Sequence, residues 1–157
     1  MLRLIGRVAT ALAVMVSMWA ATSVPANAQA TDAVYGCGAS PIDSESAYVP
    51  SSVRKHRLWR VRTTREGYVA IKCGNGSTWG AVHVELKHEV PNWTDALTCI
   101  QKTINRGAAS DGENDKRKYT YRIRGASIVV VVGENGVVTA YPRGTDVVRK
   151  WQLCSAP

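Results

Sequence analysis

His83 and His88 stand five residues apart, with Lys87 beside the second, inside Trp79-Gly-Ala-Val-His-Val-Glu-Leu-Lys-His88; Thr139 and Tyr141 lie two apart near the end of the chain. Histidine titrates near neutrality and can both accept and return a proton. Lysine supplies positive charge where a phosphorane gathers negative charge. Threonine and tyrosine hydroxyls can orient a phosphate, and an aromatic ring can stack a base. Together these groups fit cleavage of RNA by internal transesterification, with 2′,3′-cyclic phosphate ends as product. In that reading His83 and His88 serve as base and acid, Lys87 holds the phosphate, and Thr139 and Tyr141 position it. The scheme requires neither metal nor cofactor, and none is expected. Each residue also has an ordinary reading. Histidine pairs at this spacing arise by chance, a lone lysine is a solvated charge, and Thr139 and Tyr141 are common strand residues.

These side chains need a scaffold to bring them together. Ser127 to Tyr141 reads as a β-hairpin around Asn135-Gly136, a pair that favours the two positive φ angles of a type I′ turn. With Asn135 and Gly136 as the loop, Val132 faces Thr139 and Val130 faces Tyr141. Val129, Val131, Val138 and Ala140 then form the core face, and the two hydroxyls share the other face. Tyr119 to Arg124 alternates as a further strand, with Thr120, Arg122 and Arg124 on one side. Arg122, Arg124 and Arg143 are the expected substrate-binding cations.

The His83 segment is ambiguous. Val82, Val84 and Leu86 alternate as in a strand, but His83 and Lys87 also fall on one helical face, and Pro91 gives a clean break after it. We favour a helix. A second helix begins at Asn92 as N-cap, with Asp95 in its first turn, and Trp93, Ala96, Leu97, Ile100 and Ile104 fall on one face before Gly107. Asn92-Trp93-Thr94 matches a glycosylation sequon, but we read it as the helix start. Gly107 to Lys118 reads as an exposed loop, and Thr145 to Leu153 as a short closing helix. Arg57 to Arg62 and Gly67 to Cys73 read as strands, the first exposing Arg60 and Arg62. The basic run from Arg54 to Arg65, with His56 inside it, reads as a solvated face.

Residues 1–28 have the pattern of a cleaved secretory signal: Arg3 and Arg7, an apolar stretch from Ala11 to Ala21, then Ala26-Asn27-Ala28. After cleavage no segment is a membrane candidate. Residues 29–52 read as an irregular N-terminal arm, and 53–157 as a single domain. Cys37, Cys73, Cys99 and Cys154 imply two disulfides in an exported chain, and the absence of any CxxC element argues against zinc. Of three pairings we expect Cys37–Cys73 and Cys99–Cys154, stapling the arm and the tail separately. The chain carries 20 Lys+Arg against 12 Asp+Glu, a net +8, and loss of Arg3 and Arg7 with the signal lowers it by two. That balance favours contact with polyanions.

From about Trp79 to Pro142 the chain resembles bacterial EndoU-type ribonuclease toxin domains, within the wider group that includes barnase, RelE and the colicin ribonucleases. The resemblance is carried by His83-Val-Glu-Leu-Lys-His88, by Trp93 opening a helix that continues to Ile104, and by Ile128-Val-Val-Val-Val-Gly-Glu-Asn-Gly-Val-Val-Thr-Ala-Tyr-Pro142. It implies a site in which strand threonine and tyrosine join two histidines and a lysine, giving those roles to Thr139, Tyr141 and His83. The family's second histidine sits in a Gly-rich block followed by a Gly-Lys-Ser-type segment. Nothing of that kind lies between His83 and Trp93, so His88 and Lys87 are placed by proximity. Residues 29–78 carry no such resemblance.

The expected fold is α+β: one or two helices packed against a twisted antiparallel sheet of about four to five strands, with two disulfides. The expected function is a secreted, metal-independent endoribonuclease of toxin type. It would act on RNA as a monomer, with a cognate immunity protein as a further partner. The alternative is a non-enzymatic, disulfide-stapled secreted module that binds a protein, a surface or a polyanion.

Overall fold

The structure, a computed structural model, describes residues 33–144 and 147–155. The expected signal at 1–28 lies outside the described residues. The architecture is α+β. Helix α1 (Ala33–Gly36) leads to a hairpin of two short strands, β1 (Ser40–Pro41) and β2 (Ala47–Tyr48), and then to a second hairpin, β3 (Arg57–Arg62) and β4 (Tyr68–Lys72). Helices α2 (Ala81–His88) and α3 (Trp93–Arg106) follow. An antiparallel four-stranded sheet comes next, in the order β5 (Ala108–Asp111), β6 (Arg117–Ile123), β7 (Ala126–Gly133) and β8 (Gly136–Arg143), and α4 (Val147–Gln152) closes the chain.

Helix α3 forms where its cap and apolar stripe place it. Asn92 Oδ1 accepts from Thr94 N at 2.7 Å, and Trp93, Ala96, Ile100 and Ile104 are buried. Ile100 and Ile104 are fully covered, and burial of each contributes about 1.5–3 kcal/mol. Gly107 ends the helix for a reason other than backbone handedness. Its φ is −70°, but a Cβ there would meet Thr103 O at 2.5 Å and the Thr120 backbone at 2.9 Å. A glycine is needed because β6 passes against the helix end.

The β7–β8 hairpin differs in register from the sequence expectation. Gly133 pairs with Gly136, so the turn residues are Glu134 and Asn135, and of the Asn-Gly pair only Gly136 has positive φ, at 99°. A type I turn followed by a left-handed glycine gives this geometry. A bulge then leaves Val138 as the extra residue, after which Val131 faces Thr139 and Val129 faces Tyr141. Ile128, Val130 and Ala140 therefore share the face that joins the main core; Val129, also fully buried, and half-buried Val131 lie on the other face, and Val138 is the half-buried bulge residue. Thr139 and Tyr141 still share a face. The turn with two positive φ angles lies instead at Arg124 (46°) and Gly125 (77°), between β6 and β7.

Tyr119, Ile128, Val130 and Ala140 join one core with Ile100 and Ile104 of α3. The 107–118 segment, read as a loop, contains β5, which pairs Ala108 with Thr120 and Asp111 with Arg117. All four of its residues are exposed, so it lacks the apolar alternation by which a strand is recognised. Ala33, Cys37, Ala47 and Val49 from the 33–52 segment belong to the same core. The disulfides are Cys37–Cys73 and Cys99–Cys154, with Cα separations of 5.7 Å and 5.0 Å. They fit an oxidising compartment. No helix among the described residues is long and apolar enough to cross a membrane.

Candidate active site

The sheet face opposite the core is ordered in rows by strand register. Lys118, Val131 and Thr139 form one row; Thr120, Val129 and Tyr141 form the next; Arg122, Ser127 and Arg143 form the third. The Val138 bulge decides this arrangement, because it turns Thr139 to the face opposite Val137.

Helix α2 brings both histidines to that face. Its entry is a glycine-rich loop in which Asn75 Oδ1 accepts from the backbone N–H groups of Ser77, Thr78 and Trp79 at 2.9–3.2 Å. Gly80, at φ 90°, lets the loop fold back on Gly74; a Cβ at position 80 would stand 2.4 Å from the Gly74 Cα. Gly80 N then donates to Val138 O at 2.9 Å, and Val82 N donates to Cys73 O at 3.2 Å. The carbonyl of the bulge residue thus anchors the start of α2 on β8.

The far end of α2 is fixed from the other side. His88 is its last residue, followed by Glu89 in the left-handed region at φ 46°. The His88 carbonyl accepts from Trp151 Nε1 at 3.2 Å. Glu85 ties the helix to its neighbours, accepting from Ala33 N at 2.6 Å and from Trp93 Nε1 at 2.5 Å.

Four of the expected site residues meet here. His88 Nε2 lies 3.2 Å from Thr139 Oγ1, and the His88 ring lies 5.1 Å from the Tyr141 ring and 5.5 Å from that of His83, edge-on. Arg143 adds a cation: its Nη2 donates to the Tyr141 hydroxyl at 3.2 Å. Among the described residues His83 Nδ1 is buried without a hydrogen-bond partner. Lys87 is placed differently, as an exposed residue whose ammonium is paired with the Glu45 carboxylate on the β1–β2 connection. Arg122, Arg124 and Arg143 line one groove of about 460 Å³ at the β6–β7 turn, adjoining the Tyr141 row.

Partial burial is the main cause that lowers both histidine pKa values. His88 is pushed down to about 4, with the nearby His83 and Lys87 acting in the same direction. His83 is lowered by burial against an opposing backbone interaction at Ser77, with Lys87 adding to the lowering. Neutral rings at pH 7 can accept protons, and an anion bound between them would favour the charged form of either. Among the described residues no group of three or more His, Cys, Asp or Glu side chains stands together as a metal site.

No protein-family model, curated protein or solved structure matches this chain. Two supports of the site had no signal in the sequence. Trp151 reads only as an apolar residue in a closing helix, and Glu85 only as the polar partner in an alternating segment. Their roles depend on contacts across 63 and 52 residues of chain.

Proposed function

We propose that this chain is a secreted endoribonuclease of EndoU-like type that cleaves RNA by transesterification to 2′,3′-cyclic phosphate ends. The observation that carries the reading is the convergence of His83, His88, Thr139 and Tyr141, with Arg143 on the Tyr141 hydroxyl. His88, pushed down to about 4 and so neutral at pH 7, takes the 2′-OH proton, and His83 returns one to the leaving 5′ oxygen, the reverse of the order expected from the sequence. Arg143 balances charge on the phosphorane, and Thr139 Oγ1 orients the His88 ring. The Tyr141 ring offers a stacking surface for a base. These groups supply base, acid and cation from side chains alone. Export follows from the signal pattern at 1–28 and suits the two disulfides. A toxin of this kind would be held in check by a cognate immunity protein.

The test is incubation of purified, oxidised mature protein with total RNA in EDTA, beside His83→Ala and Tyr141→Phe. Cleavage to 2′,3′-cyclic ends that is lost with His83→Ala is the expected result. Intact RNA, repeated with Mn²⁺ and with tRNA as substrate, would overturn the reading in favour of a secreted binding module. The exposed Tyr35, Ile42, Tyr48 and Tyr68 would supply apolar surface for that alternative.

A further inference from the structure

The groove at the β6–β7 turn holds more positive charge than its exposed arginines supply. Arg122, Arg124 and Arg143 line it with Ser127 and Gly144, and its described lining contains no acidic residue. Behind Gly144 stands Lys150 of α4. Only 8 % of Lys150 is exposed, and among the described residues its Nζ is buried with no hydrogen-bond partner. A Cβ on Gly144, whose φ is 124°, would come within 2.4 Å of that Nζ. The ammonium therefore rests against the groove wall at Gly144, where no side chain stands between them. A buried ammonium without a counter-ion is unfavourable, and an anion in the groove would provide one. Arg143 belongs to both places, since it lines the groove and donates to the Tyr141 hydroxyl.

We propose that Arg122, Arg124, Ser127, Arg143 and Lys150 form a second phosphate subsite, which takes a backbone phosphate flanking the scissile one on the same RNA strand. This rests on the ribonuclease reading for the identity of the ligand, but not for the anion site itself. Serine and arginine donors suit phosphate oxygens, and guanidinium groups bind them bidentately. A strand whose scissile phosphate lies at His88 and Thr139 would pass Arg143 into the groove. The shortest good substrate would then carry at least two phosphates.

Two measurements test this on the full mature protein. Isothermal titration with inorganic pyrophosphate at low salt should show binding that weakens about 10-fold in Arg122→Ala and in Lys150→Met. Lys150→Met should melt no lower than the parent, because it removes an unpaired buried charge, so its loss of binding is not loss of fold. In cleavage assays the same variants should raise KM about 10-fold for a hexanucleotide and leave KM for a single-phosphate dinucleotide unchanged. Each should also flatten the salt dependence of hexanucleotide affinity by about 0.7 in log–log slope. Pyrophosphate affinity that is absent or unchanged by the variants overturns the subsite whatever the nuclease does. Variant-sensitive pyrophosphate binding by a protein that never cuts RNA keeps the anion site and removes the ribonuclease reading. Equal KM changes for both substrate lengths overturn the flanking position.

Discussion

Trp151 Nε1 donates to the main-chain carbonyl of His88, so the last helix holds the last turn of the helix that carries His83 and His88. The indole is fully buried. Trp151→Phe keeps most of the apolar contact but leaves that carbonyl without its partner. We expect a loss of about 1–2 kcal/mol in urea unfolding. RNA cleavage should fall roughly 10-fold under conditions where the variant is fully folded, because small misplacements of a catalytic group are amplified in the rate. A variant equally destabilised but fully active would show that this bond does not position His88.

The pH profile follows from the lowered histidines. The base must be neutral and the acid protonated. With His88 near 4 and His83 below its ordinary 6.5, kcat/KM should be bell-shaped with its optimum between about pH 4 and 6.5. The two limbs belong to the coupled pair. An optimum above pH 7.5 in single-turnover assays would contradict these assignments.

Stability should respond to the same groups with a definite sign. On acidification the unfolded chain binds protons at histidine before the folded chain does. The stabilisation linked to His88 is therefore complete above pH 6.5 and is lost as pH falls towards 4. After discounting for the half-exposed ring, the loss is on the order of 1–2 kcal/mol. Urea midpoints at pH 7 and pH 4.5 measure it, and His88→Gln should reduce the difference between them.

Much of this was legible in the residues, and the gaps have physical reasons. Asn92 and the apolar stripe behind it define α3 locally, so its start and inward face could be read directly. The cysteine pairing follows from an arm and a tail that each need one anchor. The hairpin was legible as a hairpin, but its register was not. Taking Glu134-Asn135 rather than Asn135-Gly136 as the turn shifts the nearby pairs by two residues, and the bulge at Val138 takes one back, so every pair beyond it is displaced by one residue. Gly136 is needed on packing grounds as well, since a Cβ there would stand 2.1 Å from the Ala70 carbonyl of β4. The histidines, Thr139 and Tyr141 could be nominated by chemistry. Lys87 could be nominated the same way, but its partner Glu45 lies 42 residues away in a segment without periodicity.

That partner makes Lys87 a discriminating position. Lys87→Met should change kcat/KM by less than about 3-fold, as expected for an exposed ion pair. Arg143→Ala should lower it by roughly 100-fold, because Arg143 sits on the Tyr141 hydroxyl. Lys87→Met should also move the acid limb of the profile upward, since removing a nearby positive charge favours protonated His88. If Lys87→Met abolishes cleavage and Arg143→Ala does not, the phosphate cation has been assigned to the wrong residue.

The two disulfides should separate in function more than in stability. They close chain segments of 36 and 55 residues, for which the loop-entropy contributions are similar, about 4 kcal/mol each. Cys99–Cys154 fastens the end of the chain, just beyond Trp151, to α3. Cys37–Cys73 fastens α1 to the residue whose carbonyl receives Val82 N at the start of α2. Replacing both cysteines of either pair with alanine should lower the urea midpoint comparably. In buffer with a stabilising osmolyte, where both variants stay folded, the Cys99/Cys154 variant should lose more cleavage. Without its staple the end of α4 is held to α3 only by surface polar contacts, Lys102 on the Cys154 carbonyl and Ser155 on Asp95, and the indole bond to His88 lies just before that end. The start of α2 keeps a second tether, the bond from Gly80 N to Val138 O, when Cys37–Cys73 is removed. Equal activity losses in the two folded variants would show that the C-terminal staple does not act through Trp151.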